Sequence, residues 1–313
     1  MLELYPMKLK AELHVKVWGG RRLASEMNLP LETDAPYGEA WLLHDSTEVI
    51  NGVYAGEKLG DLVRRFGQDL IGDNDPAEGL PLLAKLLDAN DWLSVQVHPN
   101  NEQAKTLERD PRGKSEAWLI LACDAGAKLV IGVKPGTTQQ EMAQAIQENQ
   151  LENLLVYADV EVDDVLYVEA NTIHAIGPGI LLYEIQQSSD ITYRLYDWGR
   201  AGLDGKARDL HVEKGVQVSN QASLPVIQHV EEGSPVTIVK SPYFVTWRYD
   251  IGEGQKIETR GYFHAISCLE GQIELTAHEK LVKIEQGESV FIPAAITAYQ
   301  LQGQGRVLVS AQA

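Results

Sequence analysis

Apolar positions along this chain fall mostly into short runs of strand character rather than long helical stripes. AWLILACDAG, KLVIGVKPG, DVLYVEANTIHAIGPG, ILLYEIQQSS, ITYRLYDWG, YFVTWRYDIGEG, FHAISCLEG and SVFIPAAIT are rich in Val, Ile, Leu and Tyr and are punctuated by Gly, Pro, Asn and Asp. Helical spacing is confined to a few places. Leu59, Leu62, Val63, Phe66 and Leu70 predict a helix between 55 and 72, and Leu82, Leu83, Leu86 and Leu87 predict another just after it. A third is opened by Thr138-Gln-Gln-Glu141, a capping-box pattern in which side chain and backbone at the helix start satisfy one another. The expected architecture is mainly β, built as sandwiches or barrels, with a small helical insert at about 55–90.

An internal repeat sharpens this expectation. Aligning DDVLYVEANTIHA (163–175) with GESVFIPAAITAY (287–299) matches Val165-Leu166-Tyr167-Val168 with Ser289-Val290-Phe291-Ile292, and Ala170 with Ala294. Both copies read as turn, strand, small-residue bend and second strand of a cupin-like jelly roll. Where the first copy has His174 the second has Ala298, so a duplicated fold with one retained site is expected. The polar stretch SNQASLPVIQHVEEGSP (219–235) separates the two parts. The expected division is a first cupin domain over 1–220 carrying the chemistry, a linker over 221–235, and a second cupin-like domain over 236–313 without metal ligands.

Composition narrows the partners. With 313 residues the chain is long enough for two such domains, and its net charge of −18 disfavours nucleic acid and anionic membranes, which need a basic footprint. An anionic substrate requires a local cluster of Lys and Arg working against that field. The opening MLELYPMKLKAELHVKVWGG mixes charges through every apolar run, which reads as neither a secretion signal nor a membrane span, so a cytoplasmic protein is expected. Cys123 and Cys268 are far apart, each in an apolar run, and are read as buried free thiols rather than metal ligands. Oligomeric state has no signature here.

The candidate chemistry lies in three separated segments. In SVQVHPNN (94–101), strand alternation puts Val95 and Val97 on one face and Ser94, Gln96 and His98 on the other. GKSEAWLIL places Glu116 at the head of an otherwise apolar run, and NTIHAIG places His174 at a strand end. Each alone reads as an ordinary polar position. Together, two imidazoles and a carboxylate, with Gln96 as an accessory partner, form a nitrogen and oxygen donor set suited to one Zn²⁺ with an open position. In ITYRLY, Thr192 and Arg194 share a face and Tyr193 and Leu195 share the other, so Arg194 is either a fixed charge beside the metal or half of a surface salt bridge with Asp190 or Asp197. Lys114, two residues before Glu116, either shares the face of that carboxylate or is a solvated lysine at a loop-to-strand junction.

SVQVHPN, GKSEAW, ANTIHAIGPG and EIQQSSDITYRLYD together resemble the type I mannose-6-phosphate isomerase family, a zinc enzyme on a cupin fold, in its short bacterial form. WGG at Trp18–Gly20, EAW at Glu39–Trp41, NGVYAGEKLGDLV from Asn51 and LHVEKGVQVSN from Leu210 extend the likeness, in order, over the first two thirds of the chain. By this resemblance His98, Glu116 and His174 are zinc ligands, Gln96 is a fourth ligand in some relatives, Arg194 is the active-site arginine and Lys114 is the lysine of the K-x-E element. WLLHDST (41–47) departs from the family's usual serine and histidine version. No functional residue is carried over to the last domain.

The resemblance implies interconversion of mannose 6-phosphate and fructose 6-phosphate through an enediolate, with Lys114 as candidate base and a metal-held water as its competitor. Arg194 is expected to stabilise negative charge, Lys114, Arg194 and Arg200 are alternatives for holding the phosphate, and Arg200 and Asp197, further along the same segment, are candidates for substrate binding. A cupin oxygenase shares much of the ligand set but has no need of the Lys114 and Arg194 pair. A non-catalytic sugar-binding cupin predicts degraded ligands in both copies or an appended DNA-binding module, and neither is present in the sequence.

Overall fold

The computed structural model describes residues 4–231 and 233–313. Two large antiparallel sheets carry the chain. The first has seven strands in the order Gln228–His229, Asp164–Val168, Glu116–Cys123, Ile180–Gln187, Leu82–Ala89, Tyr37–Leu43, Glu12–Gly20. The second runs Val236–Lys240, Phe244–Ile251, Ala298–Gln312, His264–Ala277, Ser289–Ile292, Met7–Lys10, Glu48–Val49, with Gln255–Glu258 and Lys280–Glu285 paired on its side. Mainly β architecture with two jelly-roll units is therefore what the chain adopts.

The central strands of the first sheet are covered on both faces. Leu86, Ala117, Leu119, Tyr183 and Ile185 pack toward the second sheet, together with Phe244, Phe291 and Leu308. Leu87, Trp118, Ile120 and Leu182 pack on the opposite face against Leu129 and Ile176 of a small three-stranded sheet. Tyr183 Oη and Ser310 Oγ, 3.1 Å apart, join the two large sheets by a buried hydrogen bond.

This double cover corrects one expectation. Leu82–Ala89 is a strand with every residue buried, not a helix, and it pairs residue for residue with Ile180–Gln187. A strand buried on both faces loses its polar alternation, and a short leucine-rich run then fits either period. The helical insert is accordingly shorter than expected: Leu59–Phe66 and Gln68–Ile71, separated at Gly67 with φ of +56°, followed by one 3-10 turn at Pro76–Glu78. The capping box at Thr138 and Glu141 is present and opens the helix Gln139–Gln147.

Met7–Lys10 pairs with Ser289–Ile292, so an N-terminal segment completes the sheet of the C-terminal unit. Cys268 is buried and Cys123 half-buried, and both are free thiols. No helix among the described residues is long and apolar enough to cross a membrane.

Candidate metal centre and active site

Alternation along the first sheet decides which side chains meet. Glu116 lies on the same face as Trp118, and Lys85 and Glu184 lie on that face of the neighbouring strands, opposite the leucines that meet the second sheet. Val95–Val97 pairs with Tyr193–Tyr196, placing Gln96 opposite Arg194, and Gln96 also bridges to His174 through backbone hydrogen bonds of 3.0 Å each way. Three distant segments thereby converge.

The ligand atoms of His98, Glu116 and His174 all lie within 4.8 Å of one another, and the three residues are 1 %, 0 % and 1 % exposed. Each imidazole turns Nδ1 toward a backbone carbonyl, His98 to Ile191 O at 2.8 Å and His174 to Thr172 O at 2.9 Å. Nδ1 is thus the protonated nitrogen, and both Nε2 lone pairs face Glu116, at 3.6 Å and 3.2 Å from its oxygens. Burial holds His174 down to about 4, and burial with the nearby Lys114 charge holds His98 well below its ordinary value, so both rings are neutral donors. Both Glu116 oxygens are sealed from solvent, and the ammonium of Lys114 is the cation set against them. Two oriented neutral imidazoles and a buried carboxylate within reach of both are a donor set that fits a divalent ion of the zinc type.

Lys114 Nζ fills part of the cation's electrostatic place, 2.7 Å from Glu116 Oε2 and 3.1 Å from His98 Nε2. Burial alone would lower its pKa, but Glu116 and, further off, Glu184 outweigh that and raise it. Gln96 turns its amide nitrogen to His174 Nε2 at 3.3 Å while its oxygen accepts from Ser94 Oγ.

Gly113 sets the approach of the two loops. A Cβ there would lie 2.4 Å from the Asn100 carbonyl carbon, and the next residue, Lys114, donates its N–H to Pro99 O at 3.0 Å. Asn171, at φ +75°, donates its N–H to His98 O, tying the His174 loop to the same corner. The strand start at Ser115 is clamped by Gln187, whose side-chain oxygen accepts from Ser115 N at 3.0 Å and whose amide nitrogen donates to Asn101. QQSS is therefore scaffolding.

Gln96 and Lys114 form the boundary between this triad and a cavity of about 300 Å³. Its lining includes five cations, Lys16, Lys85, Lys114, Arg194 and Arg208, against the carboxylates Glu39, Glu184 and Asp190, a local excess of positive charge in an acidic chain. Thr192 and Arg194 both line it, as strand alternation requires. Arg194 is not in a salt bridge with any described residue: Nη1 donates to Asp209 O at 2.8 Å and Nε is buried without a partner. Asp197 and Arg200 are not among the lining residues. Asp197 instead accepts from Arg208 Nε at 2.7 Å and pairs with Arg200 at 3.0 Å, so it holds Arg208 at the cavity, while Arg200 is spent on Asp197 and Asp91.

Sequence reasoning missed Lys16, Glu39, Lys85 and Glu184. Lys85 Nζ lies 3.4 Å from Glu184 Oε1 and 4.0 Å from Glu39 Oε2, Lys16 pairs with Glu39 at 3.0 Å, and Trp118 Nε1 donates to Glu184 at 2.9 Å. Burial works to raise Glu39, but Lys85, Lys16 and the Trp41 hydrogen bond hold it at about 2. Burial and the Glu116 charge raise Glu184. In the divergent 41–47 segment, Trp41 donates to Glu39 and His44 packs on Trp41 at 4.7 Å between ring centroids, supporting this network from behind. A lysine inside a leucine run was the available signal.

The fold and site define a duplicated cupin protein with a buried two-histidine, one-carboxylate centre in one of its two barrels. Residues 6–117 match the family model for the phosphomannose isomerase type I catalytic domain, and residues 235–312 match that for the mannose-6-phosphate isomerase cupin domain. The chain is 34 % identical to the mannose-6-phosphate isomerase of Streptococcus mutans over 97 % of its length and 98 % of the relative's, and 33 % identical to ManA of Bacillus subtilis over the same shares. A crystal structure of the Bacillus subtilis mannose 6-phosphate isomerase superposes with a TM-score of 0.89 at 28 % identity, covering 98 % of this chain and 99 % of that one. A zinc-bound mannose 6-phosphate isomerase shares the fold at a TM-score of 0.79 and 16 % identity, over 99 % of this chain and 100 % of that one. The chain belongs to the type I mannose-6-phosphate isomerase family.

Proposed function

We propose that this chain interconverts mannose 6-phosphate and fructose 6-phosphate, using one zinc ion held by His98, Glu116 and His174 with Gln96 as an accessory partner. The observation that carries this reading is the convergence of that triad directly behind a cavity lined by five cations. A zinc ion held there supplies Lewis-acid polarisation of the sugar's oxygens.

The side chains divide the remaining work. Isomerisation moves a proton between C1 and C2 through an enediolate, so the site must hold negative charge on two adjacent oxygens and offer a base. Arg194, with no carboxylate partner, is free to pair with the developing charge. Lys114 is the base of this reading: a divalent ion held by Glu116 would offset the largest of the charges that keep Lys114 protonated, and burial favours its neutral form. Arg208, oriented by Asp197, and Lys16 also line the cavity and in this reading receive the phosphate. Arg200 and Asp197 act on substrate only through Arg208.

A coupled assay for fructose 6-phosphate formed from mannose 6-phosphate, run with and without chelator on wild type and His174→Ala, tests this reading. Turnover that survives both treatments would reject it.

A further inference from the structure

The second barrel repeats the geometry of the first with different chemistry. In the first barrel Val168 lies opposite Glu116; in the second, Ile292, its match in the internal repeat, lies opposite His264. One step across, Trp118 pairs with Glu184 and Glu184 with Lys85, while Ile266 pairs with Val309 and Val309 with Trp247. His264 therefore stands where the first barrel has Glu116, and Trp247 where it has Lys85. Both line a cavity of about 690 Å³, large enough for a small ligand.

No group of three metal-donor side chains occurs in this barrel among the described residues. His264 is buried, with Nδ1 2.9 Å from Tyr299 Oη, and its ring lies 6.2 Å from that of Trp247. Trp247 and Tyr249 are half-buried and Tyr262 is 44 % exposed, so aromatic surface is available along the wall. Lys240, Lys256 and Arg260 are exposed at the same cavity, and among the described residues none of them is in an ion pair, not even with Glu258 beside them. Three unpaired cations around one concavity are a conspicuous departure in a chain of net charge −18. Aromatic faces suit the apolar face of a sugar ring, and the cations suit a phosphate.

We propose that this second cavity binds a phosphorylated hexose without a metal ion, through stacking on Trp247 and charge pairing with Lys240, Lys256 and Arg260. The proposal stands on the second barrel alone and is independent of the reading of the first.

Calorimetric titration of the full chain with mannose 6-phosphate, mannose and inorganic phosphate tests it. Wild type binds mannose 6-phosphate at the second cavity, and at two sites per chain where the proposed function of the first barrel holds. Lys256→Ala/Arg260→Ala weakens the second-cavity site by at least about tenfold and leaves isomerase turnover unchanged, and Trp247→Leu weakens the same one. In Arg194→Ala the second-cavity site persists, which separates it from any failure of the first. A single site untouched by Lys256→Ala/Arg260→Ala overturns the proposal, as does inorganic phosphate or neutral mannose binding there as tightly as the sugar phosphate.

Discussion

The Lys114 ammonium sits 2.7 Å from Glu116 Oε2, inside the space that a metal bound to Glu116 must share. One buried carboxylate therefore serves two competing cations, the protein's own and the ion. Removing the ammonium while keeping its bulk, as in Lys114→Met, lifts that competition. Zinc affinity is expected to rise by at least about tenfold, while turnover falls by about 10²- to 10⁴-fold because the base is gone. Competition against a chromophoric chelator, beside the coupled assay, checks both; weaker zinc binding in the variant would show that Lys114 supports the metal instead.

Arg194 offers the opposite case, a charge that makes no salt bridge with a described residue and whose Nε is buried unpaired. Burial and the neighbouring Arg208 lower its pKa, a sign of a cation held in an unfavourable place. Arg194→Ala is expected to change stability by no more than about 1 kcal/mol and to cost about 10²-fold in turnover with zinc content intact. Metal analysis and urea unfolding beside the kinetics separate these effects, and a large stability loss would make the arginine structural.

Gly113 carries no chemistry, yet the site depends on it. An added Cβ would meet the Asn100 carbonyl carbon at 2.4 Å, which is backbone and has nowhere to rotate. Gly113→Ala is expected to cost about 1–3 kcal/mol and to lower turnover by pushing the His98 and Lys114 loops apart. Comparing the denaturation midpoint with kcat settles it: wild-type turnover in the variant would mean that the two loops are positioned independently.

What was legible in the sequence follows from how each residue earns its place. His98, Glu116 and His174 were readable only as a set, since each alone is an ordinary polar position at the head or end of a strand, and the structure brings the three together. Thr138 and Glu141 were readable because a capping box is local, complete within four residues. Lys85 and Glu184 were not, because their strands are buried on both faces and a leucine run around Lys85 fits a helix as well as a strand. The pairing of Met7–Lys10 with Ser289–Ile292 has no local signal at all, since its partner lies at the other end of the chain. Asp197 and Arg200 illustrate a further limit: proximity to Arg194 in sequence does not say which charges face the cavity and which hold others in place.

His264, the counterpart of Glu116 in the second barrel, gives a pH prediction free of metal. Burial lowers its pKa from 6.5 to about 4. Between those values the unfolded chain binds a proton that the folded chain refuses, so stability falls as pH drops, by up to about 1.4 kcal/mol per pH unit. Above 6.5 both states are neutral and the effect vanishes; below about 4 both are charged and the loss is complete. In chelator-treated protein, His264→Asn removes this proton linkage while His98 and His174 contribute equally to variant and wild type. The wild-type unfolding free energy is therefore expected to fall by about 2–3 kcal/mol more than the variant's between pH 7 and about pH 4.5. Urea midpoints across that range measure the difference, and parallel profiles for the two proteins would mean that the folded state charges His264 as readily as water does.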